Sequence, residues 1–183
     1  VYHGIFLRGL RPVYLCPPPV SGWGTAGAVP PSAVEAALSA EPDIEAVLIT
    51  SPTYEGICSD IKEIARICHE RKIPLLVDGA HGAHLAYRGE DSAFPPDLVI
   101  ESLHKTLPSL TQTAVLHKRS GLIREDVLEW YLQVYQTSSP SYVLMASMDS
   151  CISYMAGPEG RADMERYERR LTELRAFAGE LSH

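Results

Sequence analysis

The sequence predicts an α/β protein built on a mostly parallel sheet. Two observations carry this. Short apolar runs at 46–50, 74–78 and 97–101 are too brief for helices and are bounded by turn residues. An amphipathic segment at 61–71 separates the first two, giving the strand–helix–strand pitch of parallel connections.

The opening stretch, 5–15, reads as strand-like at its end, Pro12-Val13-Tyr14-Leu15. Cys16-Pro17-Pro18-Pro19 then forms a stiff loop, because three successive prolines donate no backbone hydrogen bonds. Pro30-Pro31-Ser32 opens a short helix over 33–40. The run Ala46-Val47-Leu48-Ile49-Thr50 reads as a strand buried on both faces. Ser59-Asp60 caps the next helix, whose inner stripe is Ile61, Ile64, Ala65 and Cys68. Residues 74–78 and 97–101 are the second and third strands, and 112–117 the fourth. Beyond them the chain is helical, over 124–136, 141–155 and about 158–181. No repeat, low-complexity tract or clear domain boundary interrupts it.

The 183 residues are 45% apolar and 21% charged, the composition of a soluble globular chain with one sizeable core. A formal net charge of −7 argues against a nucleic-acid partner. No apolar run is long enough to span a membrane, and no secretory leader pattern opens the chain. Cys16, Cys58, Cys68 and Cys151 include no CxxC pair, so reduced, partly buried thiols in a cytoplasmic protein are expected.

In an open parallel sheet, ligands bind at the carboxyl ends of the strands. Three predicted strands end there in polar clusters. They are Thr50-Ser51-Pro52-Thr53-Tyr54-Glu55-Gly56, Asp78-Gly79-Ala80-His81-Gly82-Ala83-His84 and Glu101-Ser102-Leu103-His104-Lys105-Thr106. Asp78 reads either as a carboxylate capping its turn or as an acid facing a cationic ring nitrogen. Lys105 reads either as a solvated charge or, between apolar strands, as a desolvated amine. A carboxylate and an amine on successive strand ends are the pair a pyridoxal-phosphate enzyme uses. His81 and His104 sit in Gly- and His-rich loops, but no Cys or carboxylate set completes a metal site. His84 and His117 read as structural or exposed, and His3 and His69 as surface residues. Trp23 lies in a loop between Gly22 and Gly24 that lacks phosphate-binding spacing. Tyr54 reads equally as a substrate contact and as core.

The Ser51–Gly56, Asp78–His84 and Ser102–Leu107 runs, with Leu110-Thr111-Gln112 and Gln136-Thr137-Ser138-Ser139-Pro140-Ser141-Tyr142, resemble the major domain of the ornithine/lysine/arginine decarboxylases. The resemblance covers essentially the whole chain. It implies a three-layer αβα fragment of the fold-type I, pyridoxal-phosphate-dependent transferase-like kind. Residues 1–183 would be the cofactor-binding major domain, with its Ser/Gly phosphate loop and stacking His upstream and a C-terminal domain absent.

The same resemblance implies roles. Lys105 is the Schiff-base lysine and Asp78 the acid on the pyridinium nitrogen. Ala80 packs on the ring face and His81 lies near the ring hydroxyl. Ser102 and His104 contact the phosphate, and Lys105 or His104 delivers a proton to the α-carbon. Thr137 or Ser138 reaches the phosphate of the neighbouring subunit's cofactor. Gly79 stands where relatives often carry a larger residue. The implied activity is decarboxylation of arginine, lysine or ornithine with pyridoxal 5'-phosphate, in a cytoplasmic homodimer or higher homo-oligomer. Two alternatives stay open: another fold-type I enzyme, such as an aminotransferase or aldolase, and an inactive fragment lacking the phosphate loop.

Overall fold

A computed structural model of the chain describes residues 1–88 and 95–181. The chain begins with helix α1 (Tyr2–Arg8), closed by Gly9 at φ 61, where a left-handed residue returns its N–H to the last turn. The expected strand at Pro12–Leu15 does not form; these residues lie in irregular backbone. Pro12 removes a ladder donor, and pairing starts only at Pro18–Val20, which meets Thr25–Gly27 in an isolated antiparallel bridge.

Helix α2 (Pro31–Ala40) starts on proline as anticipated. Strand β1 (Val47–Thr50), helix α3 (Ile61–Glu70) and strand β2 (Leu75–Asp78) follow. A short 3-10 helix spans Ala83–Arg88. Next come β3 (Leu98–Ser102), the single turn α4 (Leu103–Thr106) and β4 (Ala114–Lys118). Helices α5 (Glu125–Tyr135), α6 (Tyr142–Ala156) and α7 (Pro158–Leu181) complete the chain. Among the described residues no helix is long and apolar enough to cross a membrane.

The strands form one sheet in the order β1-β2-β3-β4. β1 and β2 are parallel, from Val47 opposite Leu75 to Thr50 opposite Asp78. Asp97 N–H donates to Leu75 O at 2.9 Å and Gly79 N–H to Ile100 O at 2.8 Å, so β3 runs parallel to β2. Leu103 N–H donates to Thr113 O and Arg119 N–H to Asp97 O, which sets β4 antiparallel to β3. The sheet is thus mixed, its parallel part lying where the sequence predicts.

The described residues fall into two compact units, one of 1–78, 95–99 and 117–123, the other of 79–88, 100–116 and 124–181. The first buries Val34 and Leu38 of α2, Ile64, Ala65, Ile67 and Cys68 of α3, and Val47, Ile49, Leu75, Val77 and Val99 of the strands. Asp60 caps α3 by accepting from Glu63 N at 3.0 Å, as the sequence implies. β1 is buried on one face only, for Leu48 is 42% exposed. It is an edge strand, and the first unit's helices cover a single side of it. The second unit gathers Ala83, Leu103, Leu107, Cys151 and Met155, with Tyr87, Val115, Met148, Tyr154 and Met164 packed around them.

Candidate active site

The first polar run folds back on itself. Thr53 exchanges hydrogen bonds with Ile57, both by backbone at 2.9 Å and through Oγ1 at 3.2 Å. Gly56, at φ 85, makes that reversal, a conformation glycine adopts without a Cβ clash. Ser51 N–H donates to Asp78 O at 3.0 Å, which joins this run to the end of β2. Tyr54 is exposed, so the expectation of a core role for it is not met.

Asp78 is the last residue of β2 and is half-buried. Beyond it, Gly82 N–H donates to Gly79 O at 2.7 Å, closing a turn that carries Ala80 and His81, both partly buried. Gly79 also donates to Ile100 O, so this turn and the end of β3 leave from hydrogen-bonded neighbours. Two residues beyond Ile100, Ser102 forms the N-cap of α4 without using its hydroxyl as a cap. That single turn carries His104 and Lys105. Leu103 anchors it by burial, and His104 Nδ1 lies 2.8 Å from Thr113 O.

Lys105 is exposed, which corrects the expectation of a desolvated amine. The reason is local: α4 turns Leu103 and Leu107 inward and leaves Lys105 and Thr106 on its outer side. Among the described residues no hydrogen bond joins Thr137 or Ser138 to this turn. They are exposed on the α5–α6 connection, where Thr137 Oγ1 accepts from Ser139 N at 3.2 Å. Ser141, rather than Ser138 or Ser139, caps α6, accepting from Leu144 N at 3.4 Å. A cavity of about 420 Å³ opens beside α4 in the same unit, lined by Thr106, Leu107, His84, Tyr154, Met164 and Tyr167.

Two buried polar residues escaped sequence reading. Thr113 is 2% exposed and supplies the carbonyl that His104 meets. Asp97 is wholly buried at the start of β3; Leu75 N–H donates to its Oδ2 at 2.7 Å, His69 Nε2 lies 3.0 Å from the same oxygen, and Ser120 bonds to Oδ1. His69, which the sequence reads as a surface residue, is instead partly buried against Asp97. Burial pulls the Asp97 carboxyl upward, but the bonds from Ser120, Leu75 and His69 outweigh it and hold it below its ordinary range. Burial, with the Asp97 charge adding to it, pushes the Cys68 thiol up to about 11, so it is inert near neutrality. Only the strand-end placing of Asp97, four residues before the Glu101 run, hinted at it; its partners lie far off in sequence.

In the second unit the turns after β2 and β3 carry two imidazoles (His81, His104), a hydroxyl (Ser102) and a primary amine (Lys105); the Asp78 carboxylate ends β2 in the first unit. The amine, the hydroxyl and the imidazoles of the second unit are of the types that suit a ligand with a carbonyl carbon and an anionic group. The family model described as "Orn/Lys/Arg decarboxylase, major domain" matches residues 1–182. This chain belongs to the Orn/Lys/Arg decarboxylase family. It is 41% identical over 163 residues to the uncharacterized protein YaaO of Bacillus subtilis, covering 85% of this chain and 33% of that protein. It is 34% identical over 163 residues to an arginine decarboxylase of Halalkalibacterium halodurans, with the same coverage of 85% and 33%. It is 27% identical over 207 residues to lysine decarboxylase LdcA of Pseudomonas aeruginosa, covering 97% and 27%. The chain thus spans about a third of the length of the first two of these relatives. In backbone it is similar to D-glucosaminate-6-phosphate ammonia-lyase, with a TM-score of 0.56, 17% identity, and coverage of 85% of this chain and 39% of that one. It is also similar to the SepCysS-SepCysE N-terminal domain complex, with a TM-score of 0.50, 17% identity, and coverage of 78% and 36%. These likenesses establish the αβα fold class of this decarboxylase-family chain.

Proposed function

We propose that this chain carries the cofactor-holding residues of a pyridoxal 5'-phosphate-dependent decarboxylase that converts arginine, lysine or ornithine to the corresponding amine. The observation that carries the reading is the pair of turns, Ala80–His81 and Ser102–Lys105, leaving strand ends joined by the Gly79–Ile100 hydrogen bond, in a chain of this family. Relatives named arginine decarboxylase and lysine decarboxylase support a basic amino acid as substrate.

When bound, the cofactor supplies the electron sink that accepts the pair left behind as carbon dioxide departs. The chain's own residues do the rest. Lys105 would hold the cofactor's carbonyl carbon through its amine. Asp78 would keep a proton on the ring nitrogen, and Ala80 would be small enough to lie against a ring face. His81 would meet the ring hydroxyl, while Ser102 and His104 would donate to the phosphate. Lys105 or His104 then moves a proton to the substrate's α-carbon.

We further propose that the enzyme is a homodimer or higher homo-oligomer, with Thr137 or Ser138 donating to a phosphate held by the neighbouring copy. Their exposure supports this, as does that of Trp130, Tyr135, Tyr142 and Met145 on α5 and α6. Its place is the cytoplasm, which suits the exposed Cys16 and Cys58 thiols.

Two measurements test the reading. Incubation with arginine, lysine and ornithine should release carbon dioxide and amine without keto acid; a keto acid would indicate transamination instead. Borohydride reduction of the cofactor-loaded protein should fix the pyridoxyl label on a peptide containing Lys105. Label on Lys62, Lys72 or Lys118 would overturn the assignment.

A further inference from the structure

His104 sits beside the proposed cofactor lysine, and its ring makes one defined bond, from Nδ1 to Thr113 O at 2.8 Å. A carbonyl oxygen can only accept, so Nδ1 carries the hydrogen. The neutral ring is thereby fixed in one tautomer, and Nε2 is the nitrogen left to act on anything else. Toward an anionic oxygen Nε2 would donate as an imidazolium; toward a proton donor it would accept.

The Thr113 carbonyl is itself held unusually well. It also receives Leu103 N–H at 3.1 Å, so the strand end that launches α4 and the His104 ring share one acceptor. Thr113 Oγ1 lies 2.8 Å from both Ser109 Oγ and Leu110 O. Ser109 Oγ lies 3.3 Å from Ser147 Oγ of α6, and Ser147 Oγ accepts Leu110 N–H at 2.8 Å. A chain of three hydroxyls thus ties the loop before β4 to α6. Gln112, next to Thr113, has φ 79, a left-handed conformation that a non-glycine residue keeps only when its surroundings impose it.

We propose that Thr113, Ser109 and Ser147 are positioning residues that hold His104 with its hydrogen on Nδ1 and present Nε2 as its working nitrogen. This rests on the reading of His104 as part of a cofactor site. It adds that the site's imidazole is set from behind, by hydroxyls that touch neither cofactor nor substrate.

The test reads the ring directly. Two-bond proton–nitrogen correlation spectra of the nitrogen-15-labelled protein, without cofactor or substrate, are recorded at about pH 8.5, two units above the ordinary histidine range. The His104 signals are assigned by their loss in His104→Gln. Wild type should show a pyrrole-type Nδ1 and a pyridine-type Nε2, favouring that tautomer by about ten to one; Ser147→Ala and Thr113→Val should reduce the ratio to about two to one or less. Thr113→Ser, which keeps the hydroxyl, should restore it. Hydrogen on Nε2 in wild type, or an unchanged ratio in the folded variants, would overturn the proposal. If Thr113→Val does not fold, Ser147→Ala decides by the same criterion. This outcome is separate from the borohydride label on Lys105: a fixed tautomer with no label there leaves the positioning intact and removes the enzyme reading.

Discussion

Asp97 shows what one buried carboxylate does for this chain. It ties the start of β2, the last turn of α3 and the segment after β4 through Leu75 N–H, His69 and Ser120. Replacing it with alanine leaves the buried Leu75 N–H and the partly buried His69 and Ser120 without this acceptor, so Asp97→Ala should cost about 3–5 kcal/mol in a urea melt. Asp97→Asn should cost less, about 1–3 kcal/mol, because its NH2 can face the Ser120 hydroxyl, which can turn to accept. The sign of the pH dependence follows from the carboxyl lying below its ordinary range in the folded state. Its contribution is complete above the unfolded value of about 3.9 and is lost as pH falls through the lower folded value. The wild type should therefore lose stability relative to Asp97→Asn on acidification below about pH 4. Parallel curves for the two proteins would exclude that linkage. Asp78 makes a different case. If it holds a ring-nitrogen proton, Asp78→Asn should fold normally and lower turnover by about 10²–10³-fold, since an amide cannot stabilise that charge. Wild-type turnover would reduce Asp78 to a turn cap.

At the scale of elements, the α6–α7 corner is set by a glycine. A Cβ on Gly160 would come within 2.7 Å of Met155 Cα, so the two helices would have to part. Gly160→Ala should lower stability by about 1–3 kcal/mol, although alanine favours helices. Gly179→Ala, whose added Cβ meets nothing within 4 Å, should be neutral or stabilising by up to about 1 kcal/mol; thermal melts separate the two. The same scale explains what sequence reading could reach. Helix α3 was legible because its cap and its Ile64–Ala65–Cys68 stripe are local, set within two or three turns. The strands were legible from short apolar runs. That β1 is covered on one face was not, because coverage depends on which helices arrive from elsewhere. α4 was hidden for another reason: Leu103-His104-Lys105-Thr106 is one turn, too short for any period, and the exposure of Lys105 follows from it. The residue types at the candidate site were readable from sequence. The Thr113 support behind His104, like the His69–Asp97 pair in the first unit, joins residues whose pairing no spacing rule encodes.

At the scale of the whole molecule, the question is where the exposed α5–α6 surface finds its cover. Trp130 is 57% exposed and Tyr142 81%, and Thr137 and Ser138, also exposed, lie between them in sequence. Large aromatics exposed together are unusual on a monomer and common at the centre of an association surface. A phosphate needs several donors, and hydroxyls from a second copy would supply them in a symmetric dimer, where each surface serves its partner. Subunit mixing tests this. One subunit carries Lys105→Ala and the other Thr137→Ala with Ser138→Ala, each confirmed inactive alone. If sites are shared, a mixed dimer holds one intact site, with Lys105 from one chain and the hydroxyls from the other. Random exchange makes half the dimers mixed, so about a quarter of wild-type activity should return. If each site is built within one chain, both sites of the mixed dimer are broken. Exchange confirmed by mass with no recovered activity, or an active monomer in sedimentation, would therefore place Thr137 and Ser138 outside the site.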